Sequence, residues 1–242
     1  MSPNLVFAGG VLVPQRLANL DYFKGLPSHY PAETTLFAPV SPLGSVELRA
    51  QQLARQIARK FPAGEVHIIA HSMGGLDARC LLAKNLSGLA SGGRVVSLSM
   101  IATPHHGSPV ANLLLAGLEF PFHSLVGQFV DLKAPALMEL TTEGAPGFQE
   151  QDPVPGIRYF AYAGAGPVSK PLSLTHDFLE IREGDNDGLV SVTSATWPDE
   201  LAEDPWKADH FAETGYDLTR VDLTTTFPHL DAIARVVQRA TS

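Results

Sequence analysis

The stretch Val66–Gly75, which reads VHIIAHSMGG, constrains the fold more than any other part of the chain. An apolar run ends abruptly at Ser72, with Ala70 two residues before it and Gly74 two residues after it. A strand that turns sharply into a helix needs small residues at these two positions, because the neighbouring backbone is pressed against them, and the turn exposes the serine hydroxyl. The pattern indicates a nucleophile elbow in which Ala70 replaces the first glycine. The alternative is that Ser72 only caps a helix that follows a buried strand.

The composition is that of one globular domain. Hydrophobic residues make up 45% of the 242 residues and charged residues 17%, which is enough apolar material for a continuous core and gives no indication of disorder. Because no repeat, charged run or linker marks a boundary, we expect a single domain over residues 1–242. The one cysteine, Cys80, excludes an intrachain disulfide and a four-cysteine metal site.

Charge and the N-terminal sequence limit the partners. A net charge of −8 argues against a nucleic-acid partner, because phosphate backbones are bound by clusters of Lys and Arg. Residues 1–7 have no basic region followed by a long apolar run, so the sequence predicts no membrane anchor and a cytoplasmic location. A signal peptide that had already been removed would leave the same N-terminus.

Apolar strand patterns and helical patterns alternate along the chain. Strands are predicted at residues 5–8, 34–39, 66–71, 94–102 and 158–163, with a further possible strand at 177–181, and helices at 45–61 and 73–86. This order predicts an α/β fold with a mostly parallel, doubly wound sheet that helices cover on both faces. In such sheets the ligand lies at the carboxyl ends of the strands.

The segment 109–145 departs from this alternation. It is long and apolar, and Pro121, Gly127 and Pro135 interrupt it. Two interpretations are open: helices of the core, or a small helical cap or lid over the site. The apolar residues 113–130 indicate a hydrophobic pocket for an acyl or alcohol group.

Four short stretches together resemble the bacterial true lipases of the α/β-hydrolase fold. In the order in which that family has them, they are residues 70–75 (AHSMGG), 101–108 (IATPHHGS), 140–145 (LTTEGA) and 186–191 (NDGLVS). The resemblance runs from about residue 4 to about residue 216. It implies a carboxylic-ester hydrolase, either an esterase or a lipase, that uses no cofactor and acts on small-molecule or lipid esters. A thioesterase, an acyltransferase or a catalytically silent binding module would have the same fold.

The resemblance also implies a catalytic triad. A serine hydroxyl needs an imidazole to accept its proton and a carboxylate to orient that imidazole, and in this fold both follow the nucleophile in the chain. With Ser72 as the nucleophile, Asp187 matches the acid position of the family, and Asp185 is the alternative acid. The acidic run at 185–187 followed by Gly188 also suits an exposed turn or a calcium loop.

Two histidines, His210 and His229, follow the acid. His210 lies 23 residues beyond Asp187, an interval that resembles the one in the family, and prolines make the preceding stretch irregular. His229 follows Pro228 and leads into the helical pattern of the C-terminus. We therefore expect His210 to be the base, with His229 as the alternative. Structural roles are expected for three other histidines, His67, His105 and His106.

Two backbone amides are candidates for the oxyanion hole. One belongs to Met73, directly after the nucleophile, and the match to the lipase loop after the first strand assigns the other to Val11. Gly9 replaces the histidine that the family has in this loop. Many relatives bind calcium through an aspartate two residues after the catalytic histidine, where this chain has Ala212. Without that oxygen ligand, we predict no bound metal.

Overall fold

Five parallel strands form the main sheet of the computed structural model, which describes residues 2–10, 16–17, 20–118, 135–145 and 152–242. The strands are β1 (Asn4–Ala8), β2 (Thr35–Ala38), β3 (Val66–His71), β4 (Val95–Ile101) and β5 (Arg158–Tyr162). Their order across the sheet is β2-β1-β3-β4-β5. Separately, Arg16–Leu17 pairs antiparallel with Leu20–Asp21.

Helices connect and cover these strands. They are α1 (Val46–Lys60), α2 (Met73–Ala83), α3 (Pro109–Leu115), α4 (Pro135–Glu139), α5 (Ser173–Glu183), α6 (Val192–Ala195) and α7 (His229–Thr241), with 3-10 turns at Leu26–Ser28, Leu86–Gly88, Lys170–Leu172 and Ala212–Thr214. The start of α1 is the one that the sequence indicates, because the Ser45 hydroxyl accepts a hydrogen bond from the Leu48 amide at 3.2 Å. Within the described ranges, no helix is both long and apolar enough to cross a membrane.

The two faces of the sheet carry separate parts of the core. Along β1, Val6 and Ala8 pack into the larger apolar cluster with α1 and α2, whereas Leu5 and Phe7 pack into a second cluster with α7. This alternation follows from the two-residue period of a strand, whose side chains point to opposite faces in turn. Helices therefore cover both faces, which confirms the doubly wound α/β prediction.

The strand order sets the place of the site. From β1 the chain passes to β2 on one side, and it then returns to β3 on the other side of β1. Ligands of doubly wound sheets bind at such a reversal, outside the carboxyl ends of the two strands. Here β1 runs into Gly9 and Gly10, and β3 runs into Ser72.

The interpretation of residues 177–181 as a strand is wrong, because these residues lie in α5. Thr175 and Leu179, four residues apart, are the buried positions of this helix, while Ile181 is 87% exposed. Asp177, midway between them, is exposed, which fits a helix because in a strand it would share their buried face. A short apolar run such as Phe178–Leu179 cannot by itself distinguish strand from helix.

The described parts of the segment 109–145 are helices that join the core. Val110, Ala111 and Leu114 of α3 pack into the larger cluster, and α3 contacts both α4 and α5. Residues 119–134 lie outside the described residues, so the cap over the site stays a prediction.

Candidate active site

Ser72 lies at the tight turn between β3 and α2. Its backbone has φ 57° and ψ −136°, a conformation that is strained for any residue other than glycine. Two hydrogen bonds hold it there: its amide donates to the Ile101 carbonyl at 2.8 Å, and the Thr103 hydroxyl donates to its carbonyl at 3.0 Å. The side chain makes no capping hydrogen bond to α2, so the interpretation of Ser72 as a helix cap is wrong.

The two glycines after Met73 let α2 pack closely against the sheet. A Cβ atom on Gly74 would lie 2.5 Å from the Ala8 carbonyl oxygen, and one on Gly75 would lie 2.0 Å from the Thr103 hydroxyl oxygen. Real Cβ atoms do not come so close to other atoms, so only glycine fits at either position. This close approach brings the end of β1 next to Ser72.

Ser72, His210 and Asp187 form one line of hydrogen bonds. The His210 Nε2 atom lies 3.1 Å from the Ser72 hydroxyl oxygen, and its Nδ1 atom lies 2.7 Å from Asp187 Oδ2. All three residues are buried, whereas Asp185 is exposed. A nucleophilic hydroxyl, an imidazole and an orienting carboxylate in this geometry can carry out acyl transfer.

The loop of Asp187 holds its carboxylate in place. Asp187 Oδ1 accepts hydrogen bonds from the amides of Leu189 at 2.8 Å and Val190 at 2.7 Å. The His210 amide in turn donates to the Asp187 carbonyl at 3.0 Å, which joins the loops of the acid and the base. Asp187 is buried and both of its carboxylate oxygens accept hydrogen bonds inside the protein, so it does not lie on an exposed turn.

Asp209 fixes the loop that carries His210. Its Oδ1 accepts from the amides of Phe211 and Ala212 at 3.1 and 2.8 Å, and its Oδ2 accepts from the Ser169 amide at 2.7 Å. Asp209 is therefore a buried residue that connects the loop of His210 to the loop of Ser169.

Three other histidines make structural contacts. His229 begins α7, and its Nε2 donates to the Lys24 carbonyl at 2.9 Å. His67 Nδ1 lies 2.9 Å from the Ser97 hydroxyl. His105 Nδ1 accepts from Arg79 at 3.0 Å, and the Arg79 guanidinium lies 3.7 Å from the centre of the Trp197 ring.

The turn after β1 lies directly against the nucleophile. A Cβ on Gly10 would lie 2.7 Å from the Ser72 Cβ. Met73 is the first residue of α2, and the first amides of a helix have no partner inside the helix, so the Met73 N–H is free of the helical ladder. Val11, the other expected donor, lies outside the described residues.

Arg49 holds this turn through its buried side chain, a role that the sequence did not indicate. The side chain is fully buried, its Nη2 donates to the Gly9 carbonyl at 2.9 Å, and its Nε donates to Asp77 at 2.9 Å. Burial raises the pKa of Asp77 to about 6, against the opposing effect of Arg49. Arginine in an amphipathic helix pattern normally faces solvent, so no local signal distinguishes Arg49 from its exposed neighbours.

A second buried chain of hydrogen bonds lies beside the triad. The Tyr22 hydroxyl is 2.7 Å from His71 Nδ1, and His71 Nε2 is 2.9 Å from Glu213 Oε2. Burial lowers the pKa of His71 well below its usual range, with a smaller contribution from His210. Burial, together with the charges of Asp187 and Asp209, raises the pKa of Glu213 well above its usual range. Burial thus favours the uncharged form of both groups.

One group of side chains in the described ranges has the spacing of metal ligands. Ligand atoms of His71, His210 and Glu213 lie within 4.8 Å of one another. All four ring nitrogens of the two histidines already lie within hydrogen-bonding distance of a protein group. The donor set is thus engaged within the protein, and the absence of a metal stays a prediction.

A parallel sheet in this strand order, with a strained serine after its central strand and a histidine–carboxylate pair beside that serine, is the arrangement of the α/β-hydrolase fold. Solved structures agree. The chain is similar to the mature Bacillus licheniformis lipase BlEst2, with 25% identity, a TM-score of 0.69 and coverage of 86% of this chain and 85% of that one. It shares the fold of Staphylococcus hyicus lipase at 19% identity and a TM-score of 0.71, over 99% of this chain and 96% of that one.

Sequence comparison points the same way. Triacylglycerol lipase 2 of Saccharomyces cerevisiae is 29% identical over 200 residues, which cover 75% of this chain. The chain spans 58% of the length of that relative. No family model matches the chain. The chain is similar in sequence and structure to lipases and esterases of the α/β-hydrolase fold, which confirms the resemblance found in the sequence.

Proposed function

We propose that this chain hydrolyses carboxylic esters with hydrophobic acyl groups, using Ser72 as nucleophile, His210 as base and Asp187 as orienting acid. The observation that carries the proposal is the position of His210, whose Nε2 lies 3.1 Å from the Ser72 hydroxyl while its Nδ1 lies 2.7 Å from Asp187. An imidazole held in this way can accept the serine proton as the hydroxyl attacks.

The reaction has two halves. The Ser72 oxygen attacks the ester carbonyl and its proton passes to His210 Nε2, while Asp187 stabilises the imidazolium through the Nδ1–H. His210 then gives this proton to the departing alcohol, which leaves an acyl group on Ser72. A water molecule loses a proton to the same nitrogen and attacks the acyl group. The proton then passes from His210 to the Ser72 oxygen as the carboxylic acid leaves, which restores the free enzyme.

The oxyanion of each tetrahedral intermediate needs hydrogen-bond donors. We assign the Met73 amide to this role, because it follows Ser72 at the start of α2, and Val11 remains the predicted second donor. Removing one such donor typically lowers the rate by ~100-fold or more, so the turn after β1 contributes to the rate in addition to the triad.

The names of the relatives support lipid esters as the substrate class. The yeast relative is a triacylglycerol lipase, and the Bacillus neighbour is a lipase. The apolar segment 113–130, most of which lies outside the described residues, remains the predicted lining of the acyl pocket. Catalysis without a cofactor, the cytoplasmic location and the absence of a nucleic-acid partner are further parts of the proposal.

A series of p-nitrophenyl esters from acetate to palmitate tests the activity and its chain-length preference. We expect turnover by the wild type and covalent labelling of Ser72 by a fluorophosphonate. The Ser72→Ala variant should show neither. A wild-type protein that hydrolyses none of the esters and takes up no label would be a silent binding module, and the proposal would be wrong.

A further inference from the structure

The Gly9–Gly10 turn, the elbow at Ser72 and the loop of His210 meet at the candidate active site. The side chains of Tyr22, His71 and Glu213, termed here the buried chain, connect these three segments. We propose that the buried chain positions the Gly9–Gly10 turn against Ser72 and thereby sets the geometry of oxyanion binding. This inference rests on the proposed function, because it concerns the same ester hydrolysis.

The Gly9–Gly10 turn packs against the side chain of Tyr22. A Cβ on Gly9 would lie 2.8 Å from the Tyr22 ring, and a Cβ on Gly10 would lie 2.9 Å from the Tyr22 hydroxyl oxygen. The ring thus occupies the space where side chains of the turn would be. Because packed atoms transmit small shifts, the position of Gly10 beside Ser72 depends on the position of Tyr22.

His71 holds Tyr22 in place. Its Nδ1 atom lies 2.7 Å from the Tyr22 hydroxyl, and its backbone belongs to β3, where it pairs with Ile101. His71 directly precedes Ser72 in the chain. A side chain fixed to the strand that carries the nucleophile therefore sets the position of the tyrosine.

Glu213 links the other end of His71 to the loop of the catalytic histidine. It follows His210 by three residues, in the 3-10 turn Ala212–Thr214, and it is fully buried. Its Oε2 lies 2.9 Å from His71 Nε2, whereas His210 uses its Nδ1 for Asp187. Glu213 thus orients His71, while Asp187 orients His210.

An uncharged buried chain suits a positioning role. In the uncharged form that burial favours, a proton on Glu213 Oε2 can be donated to His71 Nε2, and the Nδ1–H of His71 can be donated to the Tyr22 oxygen, since the atoms lie 2.9 and 2.7 Å apart. No charge is then buried next to Asp187, whose own charge the proposed reaction needs. Each hydrogen bond lies in a low-dielectric interior, where a missing partner is costly.

The Tyr22→Phe variant tests the inference. It keeps the ring against Gly9 but removes the hydroxyl that His71 holds, so the turn loses its fixed position. We expect kcat to fall about tenfold, less than the ~100-fold typical of losing a whole oxyanion donor, with KM unchanged. Activity is expressed per serine titrated with a fluorophosphonate, so that unfolded protein is not counted.

Tyr30→Phe is the matched control. Tyr30 is half-buried and packs on Phe7 in the same apolar cluster, with ring centres 5.4 Å apart. We expect this variant to keep the wild-type kcat. An unchanged kcat in Tyr22→Phe, or an equal fall in Tyr30→Phe, would overturn the inference.

Two variants of Glu213 provide a second test of the inference. Glu213→Gln keeps a neutral hydrogen-bonding group and should retain kcat within twofold, whereas Glu213→Leu should lower kcat as much as Tyr22→Phe does. Because both changes break one chain, the Tyr22→Phe/Glu213→Leu double variant should lose no more than either single variant. Multiplied losses, or a Gln variant as slow as the Leu variant, would contradict the inference.

Turnover and labelling of the wild-type protein distinguish failure of the proposed function from failure of this inference. Absent turnover and absent labelling of the wild type would overturn the proposed function and this inference with it. Normal wild-type turnover together with a normal Tyr22→Phe variant would overturn only the role of the buried chain.

Discussion

His210 Nε2 lies 3.1 Å from the Ser72 hydroxyl oxygen although 138 positions of the sequence separate the two residues. The contact depends on a third loop, because the His210 amide donates to the Asp187 carbonyl at 3.0 Å. Asp187 therefore orients both the backbone and the imidazole of His210. Asp187 and His210 thus form one unit that contacts the elbow from the loops after β5.

The first prediction separates the two candidate histidines. We expect His210→Ala to lower kcat by several orders of magnitude, on the scale of losing a triad member. His229→Ala should change kcat little, because His229 contacts the Lys24 carbonyl rather than Ser72, although it should lower the melting temperature. Steady-state kinetics and thermal unfolding of both purified variants check this. An inactive but folded His229 variant beside an active His210 variant would reverse the assignment.

The second prediction concerns the strain at Ser72. Both Ser72→Ala and Ser72→Gly should abolish ester hydrolysis, and the alanine variant should unfold at nearly the wild-type temperature. The glycine variant should be more stable than the alanine variant by ~1 kcal/mol, because glycine accepts the positive φ without strain. Urea denaturation of the two variants measures the difference. Equal stabilities would show that the turn stores no strain at this position.

The third prediction concerns the ion pair between Arg49 and Asp77. Asp77→Ala leaves the buried guanidinium without its partner, so we expect a loss of about 3–5 kcal/mol in the free energy of unfolding. Lys84→Ala, which breaks an exposed pair with Glu47, is the control and should have little effect. Denaturant titrations of the two variants test this. Similar losses would mean that burial of the pair does not matter.

The fourth prediction is a pH dependence of stability. Because the pKa of Glu213 is raised above its ordinary value of 4.5 in the folded protein, the folded state keeps a proton that the unfolded chain releases. The stability from this group is fully present below the unfolded pKa and is lost as pH rises towards the folded pKa.

Glutamine has no such proton. The difference in unfolding free energy should therefore shift in favour of Glu213→Gln as pH rises from about 5 to about 8, by up to ~1.4 kcal/mol per pH unit. Denaturant titrations of both proteins across this range measure the shift. A constant difference would show that Glu213 is ionised in the folded protein.

Much of the fold could be predicted because its signals are local. The strand at 66–71, the elbow at Ser72 and the helix start at Ser45 each depend on residues within a few positions, and each is where the pattern predicts it. The strand predicted at residues 177–181 is wrong because a short apolar run is compatible with both a strand and one turn of a helix. The spacing between Asp187 and His210 favoured His210 as the partner of Asp187, but it could not show that the two side chains are in contact.

By itself, the sequence determined the main strands and helices up to residue 102, the small residues around Ser72 and the candidates for acid and base. Only the tertiary structure decided which polar side chains are buried together. Arg49 meets Asp77 over 28 positions, and His71 meets Glu213 over 142. The physical reason is that the free energy of a buried polar group depends on the partner beside it, and packing of distant segments supplies that partner.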